Sequence, residues 1–189
     1  MIAQIVELLV ETLFSLLVYL LLLRFYMQAL RAPFRNSIGE FVTALTNWIV
    51  RPVRRVVPGL AGIDLSSLLL AWLCEAVKLA LLNSLRGLAL APMGPAVALV
   101  LALAVVELLR DSLYLLMGVV FIQVILSWVS PYNDVQGVLN ALTRPFYRVF
   151  RRFIPPIGNI DLSPLFVLLL AQICFILIGG LGRVVVSLF

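Results

Sequence analysis

Glu75 and Lys78 stand three residues apart inside the apolar run Leu65–Leu82. An ion at such a place costs roughly 3 kcal/mol or more in a bilayer, so it is expected to be paired and to have a use. Three-residue spacing puts both on one helical face, where they can bond to each other. Glu107, Arg110 and Asp111 interrupt a later apolar run, and Glu7 and Glu11 share a face near the start. Two roles fit Glu75, Lys78 and Glu107: lining a polar path through a membrane, or fixing one helix against another, which is the commoner use. Gln123, Gln172 and Asn83 offer further interhelical hydrogen bonds.

The other chemistry is cationic. Lys78 is the one lysine among 14 basic residues; the rest are arginine. Arg51, Arg54 and Arg55 cluster in one segment, and Arg144, Arg148, Arg151 and Arg152 share one side of another. Ile38, Phe41, Val42, Leu45, Trp48, Ile49, Val53 and Val56 recur with helical period beside the first group. Val135, Val138, Leu139, Leu142, Phe146, Val149, Phe150 and Phe153 do so beside the second. Both segments are expected to be amphipathic helices in a membrane interface, with guanidinium groups on anionic head-group phosphates. A protein-docking surface is the alternative use; nucleic acid is not expected, because the basic face already meets the membrane. Pro52 and Pro145 should kink, restart or end these helices.

Asp64 and Ser66, and Asp161 and Ser163, precede apolar runs, where their oxygens can cap the first free N–H groups. Pro164 suits a first helical turn. Should the two aspartates meet across the molecule, they can also pair with arginines. There is no histidine, which removes Ser-His and Cys-His nucleophiles and histidine metal sites. Cys74 and Cys174 lie in apolar runs without CxxC spacing and read as packing residues. No catalytic residue, metal set or nucleotide loop is visible, so the chain is not expected to be an enzyme or to carry a cofactor.

These residues are held by a strongly apolar chain. Of 189 residues 63% are hydrophobic and 12% charged, against about 45–50% apolar in soluble domains. Spans are expected at about 5–30, 65–88, a third ending near Trp128, and about 162–183. The arms are expected at about 36–57 and 135–153, with turns at 58–62, 130–134 and 155–159. Glu7 and Glu11 before Leu13–Leu23, with Arg24 after it, read as a span and not a cleaved leader. Residues 93–130 would make a helix of about 57 Å, so either a single span carries a long extension or two spans flank a charged turn. Both arginine-rich connections belong on the cytoplasmic side, which favours four spans with both termini periplasmic.

An internal repeat organises all of this. Val6-Glu7-Leu8-Leu9 recurs as Val106-Glu107-Leu108-Leu109, Arg54-Arg55 as Arg151-Arg152, and Asp64-Leu65-Ser66 as Asp161-Leu162-Ser163. Arg51-Pro52 matches Arg144-Pro145 with four more residues before the Arg-Arg pair in the second copy, about one helical turn. The expected architecture is an all-α membrane protein of about four transmembrane helices in two parallel repeats, with an amphipathic arm between the spans of each. The units are 1–90, a connecting apolar segment 91–106, and 107–189.

Over nearly its whole length the chain resembles the YggT family of bacterial membrane proteins, whose relatives also occur in cyanobacteria and plastids. The resemblance rests on Arg51-Pro52 through Pro58 with Gly62-Ile63-Asp64, on Ser127-Trp128-Val129-Ser130, and on Arg144-Pro145 through Pro164. The first copy departs at Gly59, where the family tends to carry a second proline or a small residue, and at Ser67, where proline is typical. No catalytic residues come with the resemblance. It implies roles in osmotic or ion homeostasis and in assembly of membrane complexes, including division-associated ones. The expectation is an inner-membrane scaffold or assembly factor that binds anionic lipid and membrane-protein partners or its own copies. An oligomeric ion or small-solute conduit is the alternative.

Overall fold

The computed structural model describes residues 2–57, 59, 63–86, 93–130, 133–153 and 161–188. The turns expected at 58–62 and 155–159 lie outside these, Gly59 and the ends of their flanking helices apart. Six helices run in order: α1 Ile2–Ala29, α2 Ser37–Val56, α3 Leu65–Leu85, α4 Met93–Val129, α5 Gln136–Phe153 and α6 Ser163–Leu188. Four of them, α1, α3, α4 and α6, are long and apolar enough to cross a membrane. The arms α2 and α5 stand between the spans of each half, so the architecture is all-α with two successive span–arm–span units.

Residues 93–106 are continuous with the third span. α4 is one helix of 37 residues, about 56 Å long, and Glu107, Arg110 and Asp111 lie within it and make no turn. Nor do the prolines end their helices: α2 runs through Pro52 and α5 through Pro145. The lost N–H bonds are tolerated because packing, not propensity, holds these arms. The four residues before the second Arg-Arg pair are likewise no added turn. α2 and α5 contain 20 and 18 residues, so the Arg-Pro pair sits one turn earlier in an arm of similar length.

Local chemistry fixes where α2 begins. α1 closes with Arg31 in the left-handed region (φ 53°), Arg31 N–H donating to Gln28 O and Ala32 N–H to Met27 O. That pair of bonds is the Schellman arrangement. Asn36 then caps α2, its side chain accepting from Gly39 N–H at 2.9 Å. Gly39 is needed there, because a Cβ would stand 2.2 Å from Phe34 O.

The first half is sealed by Val18, Leu21 and Leu22 of α1, Val50 of α2, Leu70 and Ala71 of α3 and Leu108 of α4. Met27, Val119, Val138, Leu139 and Leu142 join α1, α4 and α5, so the halves share a core. Ser37 N–H donates to Asp134 at 3.1 Å, which brings the starts of the two arms together on one side of the bundle.

The close approach at Gly39 predicts that Gly39→Ala destabilises the detergent-purified protein by about 1–3 kcal/mol. Gly118→Ala, where a Cβ meets nothing within 4 Å inside α4, should keep or slightly raise thermal stability. Equal melting of both variants would contradict the packing of α2 on Phe34.

Candidate functional site

Arg24 is the first residue whose role the sequence reading missed. It is 6% exposed and lies inside α1, with no fellow charge within six positions of it in the chain. Its Nη1 donates to Thr46 Oγ1 at 2.7 Å and Asn47 Oδ1 at 2.9 Å on α2, and its Nε lies 3.5 Å from Asp64 Oδ2. Asp64 also takes a hydrogen bond from Arg54, and Ser67 Oγ donates to it at 2.7 Å. One buried carboxylate therefore joins a span, an arm and the next span. Burial works against the charge on Asp64, but the bonds from Ser67 and Arg54 outweigh it and hold its pKa below the usual carboxylate value.

Asp64 is thus the N-cap of α3, as expected, and more besides. Ser66 does not cap; its hydroxyl donates to Val57 O at 2.6 Å and ties the end of α2 to α3. Ser67, at the position where the resemblance expects proline, supplies both an N–H and a hydroxyl to Asp64.

The second half repeats the contact ten residues apart as before. Arg151 donates to Asp161 through Nε at 3.0 Å and Nη2 at 2.5 Å, and its guanidinium lies 5.6 Å from the centre of the Tyr147 ring. Each aspartate pairs within its own half, not across the repeats. Asp161 accepts from Ser163 N–H at 2.9 Å. The Ser163 hydroxyl is buried without a partner among the described residues and caps nothing there. Burial raises the Asp161 pKa, but the Ser163 and Arg151 bonds bring it below the ordinary value. Burial, then the nearby Asp161 charge, pushes the Tyr147 hydroxyl up to about 12. The span-to-arm bond of this half is Gln123 Nε2 to Asn140 Oδ1 at 2.7 Å, in place of Arg24.

Two of the seven expected head-group arginines, Arg54 and Arg151, are therefore locks. Arg51, Arg55, Arg144, Arg148 and Arg152 are exposed and make no ion pair among the described residues. On α5, Arg144, Arg148 and Arg152 join Arg151, Asn140 and Tyr147 around an open groove of about 540 Å³. The apolar stripes split in two. On α2, Val42 and Val50 point into the protein, whereas Phe41, Leu45, Trp48 and Val56 stay exposed.

Glu75 and Lys78 do meet, at 2.8 Å, with Glu75 fully buried and Lys78 also donating to Ser15 Oγ at 3.2 Å. Tyr19 donates to Asp111 at 3.1 Å nearby, and Asp111 is 8% exposed. Glu107 pairs with Arg110 at 2.6 Å on the same helix and stays partly exposed. α1, α3 and α4 so enclose a polar cluster in which Glu75 Oε1 and Asp111 Oδ2 meet no hydrogen-bond donor among the described residues.

Four apolar helices in two like halves, each arm locked to its spans by an Arg–Asp pair, define a multi-pass membrane protein of repeat architecture. The family model of CCB3/YggT matches residues 3–85 and 102–182, and the chain belongs to that family. It is 34% identical over 170 residues to an uncharacterised protein of Pseudomonas aeruginosa, covering 89% of this chain and 85% of that one. It is 33% identical to an uncharacterised protein encoded in the proC 3′ region of Vibrio alginolyticus, covering 92% of each. It is 32% identical to the uncharacterised protein YggT of Escherichia coli K12, covering 87% and 84%. No solved structure matches the chain.

Because Asp64 balances a buried arginine, Asp64→Asn should cost about 3–5 kcal/mol, whereas Asp161→Asn, at a more exposed pair, should cost under about 1 kcal/mol. Asp64 has a lowered pKa in the folded state. Its contribution is present above the unfolded-state value of about 3.9 and is lost as pH falls through the folded value. Unfolding followed from pH 7 down to pH 3 should show a larger acid loss of stability than Asp64→Asn shows, the variant keeping only the smaller share that comes from Asp161.

Proposed function

We propose that the chain is a non-enzymatic scaffold of the inner membrane whose two arms lie on the cytoplasmic face and hold anionic lipid head groups. The α5 groove carries this reading. Three guanidinium groups without carboxylate partners among the described residues converge there, a planar donor set suited to phosphate oxygens. Exposed Val149 and Phe153 on α5, and Phe41, Leu45 and Trp48 on α2, supply apolar side chains that belong in the acyl boundary. The surfaces left to protein partners are the same arms, held at fixed angles by Arg54–Asp64 and Arg151–Asp161. Roles in osmotic homeostasis or in assembly of membrane complexes fit such a scaffold.

The conduit is the second reading, and the Glu75–Lys78–Asp111 cluster supports it, since ionisable groups inside spans commonly mark ion pathways. Glu75→Leu would then abolish ion flux in liposomes, whereas a scaffold gives none with either chain.

The scaffold reading predicts that the protein co-purifies with anionic phospholipid, read by native mass spectrometry. Arg144→Gln/Arg148→Gln/Arg152→Gln should reduce bound anionic lipid several-fold while thermal unfolding stays unchanged. Equal lipid retention by that variant would remove the groove from the account.

A further inference from the structure

We propose that α6 is the contact through which two copies of this chain associate in the membrane, paired about a two-fold axis with Gln172 against Gln172 of the second copy. This rests on neither reading of the arms or the cluster. Leu165, Leu169, Gln172, Ile176, Gly179 and Arg183 follow one another at alternating four- and three-residue steps along α6. Such spacing places them on one stripe of the kind that seams two parallel helices. The stripe is uncovered: Leu165, Leu169 and Ile176 are 61%, 56% and 75% exposed, Gln172 is exposed, and a Cβ at Gly179 would meet nothing within 4 Å. α4 lies against a different side, through Tyr114 on Phe175 and Val106 by Gly182.

Apolar exposure alone would mean lipid. Gln172 is what lipid does not satisfy. It lies nine residues after Ser163 and eleven before Arg183, about 14 Å and 17 Å along the helix, in the middle of the apolar stretch. A carboxamide there has no partner in hydrocarbon, and interhelical amide bonds are a known driver of helix association. The amide carries both a donor and an acceptor, so it can pair with its own copy across a two-fold axis, which is the commonest symmetry of homo-oligomers.

The repeat adds an independent argument. The 97-residue offset that relates Asp64 to Asp161 and Thr46 to Thr143 makes Gln172 the counterpart of Glu75. The rest of the stripe corresponds to Leu68, Trp72, Leu79 and Leu82 of α3 and to Arg86, which caps it. There Trp72 and Leu79 lie on Val100 and Ala104 of α4, with Trp72 Nε1 donating to Leu101 O at 3.1 Å. The side of α3 that the first part of α4 covers is, on α6, left open.

Cysteine crosslinking in native membranes tests this, in a Cys74→Ser/Cys174→Ser background. Leu165→Cys, Leu169→Cys and Ile176→Cys should each give a covalent dimer on oxidation. Leu170→Cys and Leu181→Cys, exposed on other sides of α6, should not. Adding Gln172→Leu to Ile176→Cys should lower dimer yield roughly fivefold, the factor for about 1 kcal/mol of interhelical amide bonding, and Gln172→Asn should largely restore it. No dimer at positions 165, 169 and 176, equal dimer on every side, a crosslink to a different protein, or an unchanged yield with Gln172→Leu would each overturn the proposal.

Discussion

The buried carboxylate of Asp64 is the constraint on which the first half depends. Arg24 inside a span demands a countercharge, because an unpaired guanidinium away from water costs several kcal/mol. Asp64 provides it, and in doing so fixes α3 against α1. Arg54, pairing with the same carboxylate, draws the end of α2 into the joint. Thr46 and Asn47 accept from Nη1 of Arg24, so the arm is held along its length as well as at its end. The arm's direction relative to the spans follows from one ion and its partners.

The second half keeps the pattern with weaker parts. Arg151–Asp161 is half-exposed, and the buried arginine of the first half is replaced by the neutral Gln123–Asn140 bond. Neutral amides are less costly to expose than ions, so this half tolerates an open flank. The same asymmetry runs through the spans. α3 is enclosed between α1 and α4 and carries Glu75 and Lys78, whereas α6 touches α4 and α5 and carries Gln172 at the equivalent place.

The helices were legible because apolar runs and helical periodicity are local signals. The spans and arms fall within a few residues of expectation, and α4 continues without a break through Glu107–Asp111 because flanking apolar residues keep it helical. The pairing of Glu75 with Lys78 was legible for the same reason, being a contact within one turn. Arg24 was not. Its sequence position at the end of an apolar stretch reads as a topology marker, and only tertiary folding brings Thr46, Asn47 and Asp64 around it. Likewise, periodicity places Val42 and Phe41 in one apolar stripe, but it cannot separate the side covered by protein from the side left to lipid. The two locking arginines, Arg54 and Arg151, were indistinguishable from their neighbours until their aspartates stood ten residues on.

In the proposed topology both arms lie on one face of the membrane, the cytoplasmic one, with their free arginines at the interface. The most direct measurement is labelling of Arg55→Cys and Arg152→Cys, in a background without Cys74 and Cys174, by a membrane-impermeant thiol reagent applied to sealed vesicles of either orientation. Both positions should react only when the cytoplasmic face is outward. Reaction of the two positions from opposite faces, or of both from the periplasmic face, would contradict that topology.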